Sequence, residues 1–284
     1  MNKIIIYNII LFYFLLINIL QFIKINNMFE PVKRNYKLRF IFQKQLLNKI
    51  KKRNPDLIFN DKFIKRNNQN INLNTFELPK NKKWIFYIHG NKHDVLKYYK
   101  FVNKLLDIGN VLLYDYRGYG LSDGIPSPRG CVEDTIFVWR NFLKNKGINS
   151  ENCIFYGNSL GGGIAVKSLL KLIENKESIP NGLLLESTFT SIKNMGRRRY
   201  PTLIKYLGDL TYDTFNNENN LKKIINYGYK NIIISHSIVD EIIPYTHSLE
   251  LSKIDKNITH ITIEGEHGDE NIDSKYLLKI KSLF

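Results

Sequence analysis

Short, uninterrupted apolar runs alternate with helical stretches from residue 84 onward. The runs are Trp84–Ile88, Val111–Tyr114, Cys153–Tyr156, Leu183–Leu185, Ile232–Ile234 and Ile261–Ile263. Strands of this kind, buried on both faces, are typical of parallel sheets covered by helices on both sides. Helical patterns fill the intervals, near residues 94–107, 128–145, 160–175, 246–254 and 272–283. This order predicts one α/β domain with a doubly wound, mostly parallel sheet, whose ligands would bind at the carboxyl ends of the strands.

The first twenty-five residues predict a membrane anchor. Ile4–Ile23 is a run of twenty residues without a charge, flanked by Lys3 and Lys24. A helix of that length, at about 1.5 Å per residue, spans the roughly 30 Å hydrocarbon core of a bilayer. A secretory signal peptide needs a shorter apolar region and small residues at its cleavage site, and no Gly, Ala, Ser, Thr or Cys precedes Thr75. We therefore predict an uncleaved single-pass anchor at residues 1–25, with a buried core helix as the alternative.

Positive charge is concentrated directly after this segment. The formal net charge is +16, and residues 24–53 hold ten Lys or Arg against the single acid Glu30, a net of +9. A nucleic-acid-binding protein carries its basic face on the folded domain, whereas this excess adjoins a hydrophobic segment. We therefore predict a lipid bilayer, and not nucleic acid, as the partner, with a solvated lysine-rich run as the alternative. Because positively charged flanks stay on the cytoplasmic side, the folded domain is predicted there.

Residues 26–55 predict a basic amphipathic linker ahead of the main domain at 56–284. Apolar residues recur at helical spacing between residues 36 and 50, which suits a helix lying on the membrane or on the domain. They are Leu38, Ile41, Phe42, Leu46, Leu47 and Ile50. Two strands are predicted to follow, near 61–65 and 71–78.

A glycine-flanked serine follows the third apolar run. Gly157-Asn158-Ser159-Leu160-Gly161 has the Gly-x-Ser-x-Gly form and opens a helical stretch. A sharp strand-to-helix turn holds such a serine in a strained backbone conformation, and the glycines let neighbouring backbone approach. The hydroxyl then lies at a helix N-terminus, where developing negative charge is favoured. A phosphate-binding loop would need a Lys-Ser/Thr pair after the glycines, which is missing. Ser159 is therefore the candidate nucleophile.

A serine hydroxyl is a weak nucleophile until a base takes its proton. In the chain order that accompanies this turn, the acid and then the histidine follow the serine. His267 lies in a turn just past the last apolar run, at the carboxyl edge of the sheet, and is the candidate base. Asp240 follows the penultimate run and is the candidate acid, with Glu186 and Glu241 as alternatives. The other downstream histidines are His236, which precedes this acid, and His247 and His260, which are expected to be structural.

The negative charge of an acyl-transfer intermediate needs preorganised N–H donors. The backbone N–H of Leu160, directly after the serine, is one candidate. The second should come from the loop after the first apolar run, and we assign the backbone N–H of Asn91. His89 in the same loop is expected to brace it rather than to act in catalysis. No metal or other cofactor is predicted, since the two cysteines, Cys131 and Cys153, are too few for a four-cysteine site and are expected to be inert core thiols.

Several longer stretches resemble the α/β-hydrolase superfamily, in particular membrane-tethered eukaryotic α/β-hydrolase-domain proteins related to lysophospholipases and acyl-protein thioesterases. The stretches are HGNKHD (89–94), YDYRGYGLSDGIPSPRG (114–130), YGNSLGGGIAV (156–166), ESTFTSI (186–192), HSIVDEIIP (236–244) and EGEHGD (264–269). The resemblance implies that Ser159, Asp240 and His267 form the catalytic triad. It also implies a short cap over the site near 193–228, within which Asn216–Asn220 is predicted to be a loop.

Together these features predict a membrane-anchored serine hydrolase that cleaves ester or thioester bonds, with lipid or acylated substrates favoured by the anchor. Two other functions stay open from the sequence. A tethered scaffold could retain the fold without turnover, and a peptidase could use the same fold on amide bonds. Turnover of acyl esters separates the first from an enzyme, and short peptide amides separate the second from an esterase.

Overall fold

The computed structural model describes residues 6–13, 16, 28–33, 36–199, 215–268 and 272–284. Residues 6–13 are helical, while most of the predicted span Ile4–Ile23 lies outside the described residues. Among the described residues, no helix is both long enough and apolar enough to cross a membrane.

The described part of the chain forms one eight-stranded sheet. Its strands are β1 (Ile58–Arg66), β2 (Gln69–Glu77), β3 (Trp84–Ile88), β4 (Asn110–Tyr114), β5 (Cys153–Asn158), β6 (Gly182–Glu186), β7 (Ile232–Ser237) and β8 (Thr259–Ile263). The order across the sheet is β1-β2-β4-β3-β5-β6-β7-β8. β2 pairs antiparallel with β1 and β4, and the other neighbouring pairs are parallel. The mostly parallel sheet expected from the apolar runs is confirmed.

Helices cover both faces of this sheet. They are α1 (Tyr36–Arg53), α2 (Tyr99–Leu105), α3 (Pro128–Lys146), α4 (Leu160–Glu174), α5 (Ile192–Arg199), α6 (Asn217–Asn226), α7 (Thr246–Ser252) and α8 (Ser274–Lys281). Short 3₁₀ helices occur at Val95–Tyr98 and Ser150–Asn152. The elements from β3 onward therefore follow the strand–helix alternation read from the sequence.

Alternation of side chains along the strands divides the core into two clusters. In β3, Trp84, Phe86 and Ile88 join one cluster, which includes buried residues of α3, α4, α6 and α7. Ile85 and Tyr87 join the other, which includes buried residues of α1, α2 and α8. Successive side chains of a strand point to opposite faces, so a continuous apolar run supplies both clusters at once.

α1 packs against the domain with only part of the face that its apolar pattern predicted, because Leu46, Leu47 and Ile50 contact the core whereas Leu38, Ile41 and Phe42 are exposed. Arg39 and Gln43 are 1% and 6% exposed, and Ile50 is 2% exposed. Leu38, at 56% exposure, points away from the domain, although its spacing had placed it with the apolar face. The reason is that the guanidinium of Arg39 finds buried polar partners beneath the helix, which offset the cost of removing a charge from water.

The stretch predicted to be a loop at Asn216–Asn220 is helical from Asn217 onward. The side chain of Asn216 accepts a hydrogen bond from the amide of Asn219 and so caps α6. Asparagine favours both loops and helix N-caps, which explains the misreading. Leu221 and Ile224 of α6 are fully buried. Of the predicted cap range 193–228, residues 200–214 lie outside the described residues.

Candidate active site

Ser159 lies in the turn between β5 and α4, with a backbone φ of 53° and ψ of −120°. This φ lies in the left-handed region, which is uncommon for a residue with a side chain. Two hydrogen bonds hold the turn from the side of β6. The Ser159 amide donates to the Glu186 carbonyl at 2.9 Å, and the Thr188 hydroxyl donates to the Ser159 carbonyl at 2.8 Å. The strain is thus opposed by fixed contacts from a neighbouring strand end.

The glycines of the turn are required by close packing. A Cβ added to Gly157 would come within 2.7 Å of the Cα of Gly162, and one added to Gly161 would overlap the carbonyl oxygen of Ile88. Helix α4 can therefore start directly beneath the end of β3 only because these positions have no side chain. This arrangement lets the first turn of α4 approach the loop after β3.

The predicted base lies between the predicted nucleophile and the predicted acid. The Nε2 atom of His267 is 2.9 Å from Ser159 Oγ, and its Nδ1 is 2.7 Å from Asp240 Oδ2. An ionised carboxylate can only accept, so Nδ1–H donates to Asp240 and Nε2 accepts from the serine hydroxyl. The imidazole is then in the tautomer that can take the serine proton.

The Asp240 carboxylate is held ionised by several donors. Its side chain is fully buried, and Oδ1 accepts hydrogen bonds from the amides of Ile242 and Ile243 at 2.9 and 2.7 Å. Burial alone would raise the pKa of Asp240, but hydrogen bonds from His236 and His267, with the Ile243 amide, lower it well below its ordinary value. Asp240 therefore stays negative at any working pH and can stabilise an imidazolium.

His236 also contacts the acid, a role that the sequence reading did not assign. Its Nε2 lies 2.8 Å from the Ile243 carbonyl and 3.0 Å from Asp240 Oδ2. Both neighbours are acceptors, so Nε2 carries the hydrogen and donates to them. The imidazole is fully buried at the end of β7, four residues before Asp240. That spacing is the one signal in the sequence that could have suggested the contact.

The two alternative acids have other contacts. Glu186 is buried and accepts from the hydroxyls of Tyr156 and Tyr276 at 2.5 and 2.7 Å and from Asn158 Nδ2 at 3.1 Å. Glu241 accepts from the backbone amide of His267 at 3.1 Å. Glu186 thus braces the residue before the serine, and Glu241 the loop of the histidine. The ring hydrogen bond of His267 goes to Asp240.

The loop after β3 lies against the serine. A Cβ added to Gly90 would be 3.3 Å from the Cβ of Ser159, and the Gly90 amide donates to the Tyr98 hydroxyl at 3.0 Å. The side-chain oxygen of Asn91 accepts from the Glu30 amide at 2.8 Å and from the Tyr119 hydroxyl at 3.0 Å. These bonds fix the loop that carries the Asn91 amide beside the cleft. Leu160 is the first residue of α4, where N–H groups have no partner within the helix.

The remaining histidines named from the sequence have local partners. His89 is fully buried, with Nδ1 donating to the Gly90 carbonyl at 2.7 Å and its ring 4.0 Å from that of Tyr116. Burial lowers the pKa of His89 to about 4, so it is neutral at physiological pH. His247 accepts from the Thr190 amide at 3.2 Å, and His260 lies 3.1 Å from the Ser248 hydroxyl.

Ser159 and His267 open into a cleft of about 700 Å³. Its wall combines charged and apolar side chains, namely Glu30, Lys92, His93, Lys97, Met195, Glu241, Ile242 and Pro244. Met195 comes from α5, inside the predicted cap range. Within the described residues, no cluster of three or more His, Cys, Asp or Glu side chains is placed to hold a metal ion. The cleft thus places the Ser159 hydroxyl and the His267 ring beside a space whose walls are of mixed polarity.

Comparison with known proteins identifies the family of this chain. The profile of the serine aminopeptidase, S33, family matches residues 79–229. The uncharacterized protein R595 of Acanthamoeba polyphaga mimivirus is 26% identical over 262 residues, which cover 88% of this chain and 85% of R595. Human alpha/beta hydrolase domain-containing protein 17B is 28% identical over 72% of this chain and 66% of its own length. The lysophosphatidylserine lipase ABHD12 of Danio rerio is 33% identical over 43% of this chain and 32% of the lipase.

Solved structures share the fold at low sequence identity. An α/β hydrolase from Vibrio vulnificus superposes with a TM-score of 0.68 at 20% identity, covering 89% of this chain and 96% of the other. The Pyrococcus furiosus esterase Pf2001 superposes with a TM-score of 0.62 at 16% identity, covering 90% of this chain and 97% of the esterase. At these identities the likeness establishes the fold.

Proposed function

The chain belongs to the serine aminopeptidase, S33, family of the α/β-hydrolase superfamily, and from this premise we propose that it is a serine hydrolase cleaving carboxylic ester or thioester bonds. The observation that carries the proposal is the His267 ring, which lies within hydrogen-bond distance of both Ser159 Oγ and Asp240 Oδ2. A nucleophile next to a base that is itself oriented by an acid is the arrangement that acyl transfer requires.

In the first half of the reaction, Ser159 Oγ attacks the carbonyl carbon of the bound ester or thioester. As the new bond forms, the hydroxyl proton passes to His267 Nε2, and the Asp240 carboxylate stabilises the resulting imidazolium. The carbonyl π electrons move to the oxygen, which becomes an oxyanion. When the tetrahedral intermediate collapses, an alcohol or thiol leaves with the proton from His267, and the acyl group stays on Ser159.

The oxyanion is stabilised by backbone N–H groups. We assign these donors to Leu160, at the N-terminus of α4, and to Asn91, in the loop held by Glu30 and Tyr119. Each such donor contributes about 3 kcal/mol to the transition state. Water then attacks the acyl-enzyme, with His267 now acting as base, and releases the carboxylic acid and free Ser159.

Lipid or acylated substrates are supported by features outside the cleft. The uncharged stretch within residues 1–25 is proposed to anchor the chain in a bilayer, and the exposed basic residues of 26–55 would face anionic lipid. Residues 56–284, including a short cap near 193–228, would then form the cytoplasmic hydrolase domain. One of the relatives named above is a lysophosphatidylserine lipase. An anchored enzyme would meet substrates that partition into the same bilayer.

An aminopeptidase activity is the second candidate, because the family takes its description from such enzymes. An exopeptidase of this kind needs an anion near the free amine of its substrate, and Glu30 and Glu241 both line the cleft. Glu241 already accepts from the His267 amide, and Glu30 lies 3.5 Å from the Lys92 amine. Aminoacyl p-nitroanilides and acyl thioesters, offered to the same preparation, separate the two activities.

The decisive experiment changes the serine. Ser159→Ala should abolish labelling by a fluorophosphonate probe and lower ester turnover by at least about a thousandfold, because the base has no hydroxyl to activate. Ser252→Ala, on the half-buried face of α7, is the matched control and should label like the unchanged chain. Equal labelling of Ser159→Ala would show a different nucleophile. A chain that neither labels nor turns over any acyl substrate would be the scaffold alternative.

A further inference from the structure

The first half of α1 exposes several large apolar side chains, although its inward face carries a buried charge. Leu38, Phe40, Ile41 and Phe42 are 56%, 59%, 52% and 48% exposed. A helix on a water-soluble protein normally turns its apolar stripe to the core and its polar residues to solvent. In the first turns of α1 this order is inverted, since Arg39 is almost fully buried.

Polar contacts hold the inward face to the domain. Arg39 Nη1 donates to Asp115 at 2.9 Å and to Asp94 at 3.3 Å, and Nη2 donates to Asn72 at 2.6 Å. Gln43 donates to Asp61 at 2.8 Å. The helix is therefore attached without using its outward apolar side chains. Large exposed hydrophobic residues that folding does not use mark a surface for a partner.

The apolar surface continues from α1 to the edge strand β1. A groove of about 500 Å³ separates them, and Phe40, Phe59 and Phe63 are among its lining residues. Phe63 is itself 47% exposed. β1 forms the edge of the sheet, so the patch lies at one end of the molecule. It brings apolar side chains of a helix and an edge strand together around a groove that polar residues such as Asn48 and Asp61 also line.

The charge of α1 identifies the partner that fits this surface. The helix has no acidic residue, and its second half exposes Lys44, Lys49, Lys51 and Lys52 beside the apolar patch. An interfacial helix buries apolar side chains at the boundary of headgroups and acyl chains while its lysines meet anionic headgroups. Each such lysine contributes about 1 kcal/mol near an anionic surface. A neutral partner surface would leave the lysines without complementary charge.

The position of α1 in the chain agrees with a bilayer as the partner. Residues 24–35 separate the uncharged stretch Ile4–Ile23 from the start of α1. Those residues reach at most about 40 Å when fully extended, so an anchored chain would keep α1 at the membrane surface. α1 also lies near the cleft, because Arg39 contacts Asp94, the neighbour of the cleft residue His93.

We propose that the outward face of α1, together with Phe63, docks on an anionic lipid bilayer, with the helix lying in the plane of the headgroups. Leu38, Ile41 and Phe42 enter the acyl boundary, and the lysines of the second half contact lipid phosphates. The proposal rests on the proposed function in one respect, which is that the substrate is lipid-linked. Docking of α1 would bring the cleft to the bilayer that holds such a substrate. The docking itself does not require turnover.

The test uses the full chain with an environment-sensitive nitrobenzoxadiazole dye on Ile41→Cys. Both native cysteines are buried, so the dye is directed to the new position. In vesicles of phosphatidylcholine with phosphatidylglycerol, we expect a blue shift and quenching by brominated acyl chains, with a smaller shift in pure phosphatidylcholine. The matched control carries the dye on Lys256→Cys, an exposed residue beside β8 at the opposite edge of the sheet, and should show neither effect.

Charge reversal tests the headgroup contact. With the dye at position 41, Lys49→Glu/Lys52→Glu should remove the difference between the two vesicle types, whereas the matched pair Lys253→Glu/Lys256→Glu should preserve it. A vesicle-bound chain whose dye at 41 behaves like the dye at 256 would overturn the proposal. A blue shift that occurs without lipid and grows with protein concentration would also overturn it, because a second copy of the chain would then cover the outward face of α1. Ser159→Ala should give the same spectra, so a failed hydrolase assignment is distinguished from failed docking.

Discussion

Asp240 lies between the imidazoles of His236 and His267, and these contacts fix the position of its carboxylate. His267 donates to Oδ2 from the side of the cleft, and His236 donates to the same oxygen from the protein interior. The amides of Ile242 and Ile243 occupy Oδ1. A carboxylate with all these donors is fixed in both position and charge, and it fixes the ring of His267 in turn.

We expect His236→Leu to lower kcat about tenfold with little change in KM. The variant removes one donor to a charged acceptor, a bond of about 1.5–3 kcal/mol, and leaves the substrate cleft untouched. His236→Gln retains an N–H donor and should recover part of the loss. Steady-state kinetics on an acyl ester, with urea midpoints to verify folding, provide the measurement. An unchanged kcat in folded His236→Leu would show that His267 and the two amides suffice to place Asp240.

The residues of the candidate triad could be named from the sequence because each has a local signature. Ser159 is flanked by glycines that the close packing of α4 demands, and His267 and Asp240 each follow an apolar run that became a strand. The role of His236 was missed because it depends on how the chain turns after β7. This turn brings Asp240 back against His236, four residues earlier, without a helix between them. Arg39 was missed because its partners Asp94 and Asp115 are distant in the chain.

At the scale of elements, α1 is attached at Arg39 by a buried ion-pair network and, nearer its C-terminal end, by Leu46, Leu47 and Ile50, which pack against the core. Replacing Arg39 with Met should destabilise the fold by about 3–5 kcal/mol, because Asp94 and Asp115 would be left buried without their cation. Arg53→Met on the same helix is the matched control. Arg53 pairs with Asp107 at the surface, where both side chains are more than 40% exposed. Loss of this ion pair should lower the free energy of unfolding by less than about 1 kcal/mol.

The measurement is urea unfolding followed by circular dichroism for both variants. Similar midpoints for Arg39→Met and Arg53→Met would mean that the two aspartates find other donors or become protonated.

The contacts of α1 also bear on how secondary-structure elements are predicted from sequence. Continuous apolar runs located β3 to β7, which are buried on both faces, and also β8, although most of its residues are half-buried or exposed. A helix whose inward face contains arginine and glutamine defeats the rule that apolar residues face inward.

At the scale of the whole molecule, two helical layers enclose the sheet and place both cysteines in the interior. Cys131 lies in α3 and Cys153 in β5, and both are 0% exposed. Burial raises the pKa of each thiol to about 12, from an ordinary value of 9.0. Below pH 9 the thiols are neutral in both states, and the folded state loses stability as the pH rises from 9 toward 12, because the unfolded chain then ionises more readily.

The native chain should therefore react with a thiol reagent at pH 8 at least about a hundredfold more slowly than the urea-unfolded chain, because burial both excludes the reagent and keeps the thiols protonated. Reaction kinetics with Ellman's reagent, with and without urea, give the comparison. Ile41→Cys supplies an exposed thiol in the native chain as the positive control. Rapid reaction of both native thiols in the folded chain would contradict the close packing of α3 and β5.

Topology was the least accessible property from sequence alone. The apolar runs indicate that strands are parallel and buried, but not that β4 lies between β2 and β3, because strand order depends on which face each crossover covers. The antiparallel β1–β2 hairpin is clearer, since Asn67 and Asn68 at its turn adopt positive φ angles that asparagine tolerates.

The contacts of Glu30 and Arg39 have a practical consequence for anyone shortening this chain. The family profile covers residues 79–229, which invites truncation of the chain at residue 79. Such a cut would discard the amide that steadies Asn91 and the guanidinium beneath Asp94. Removing the hydrophobic N-terminal residues could improve solubility only if these contacts to the loop after β3 are kept. A shortened chain should therefore begin no later than Met28.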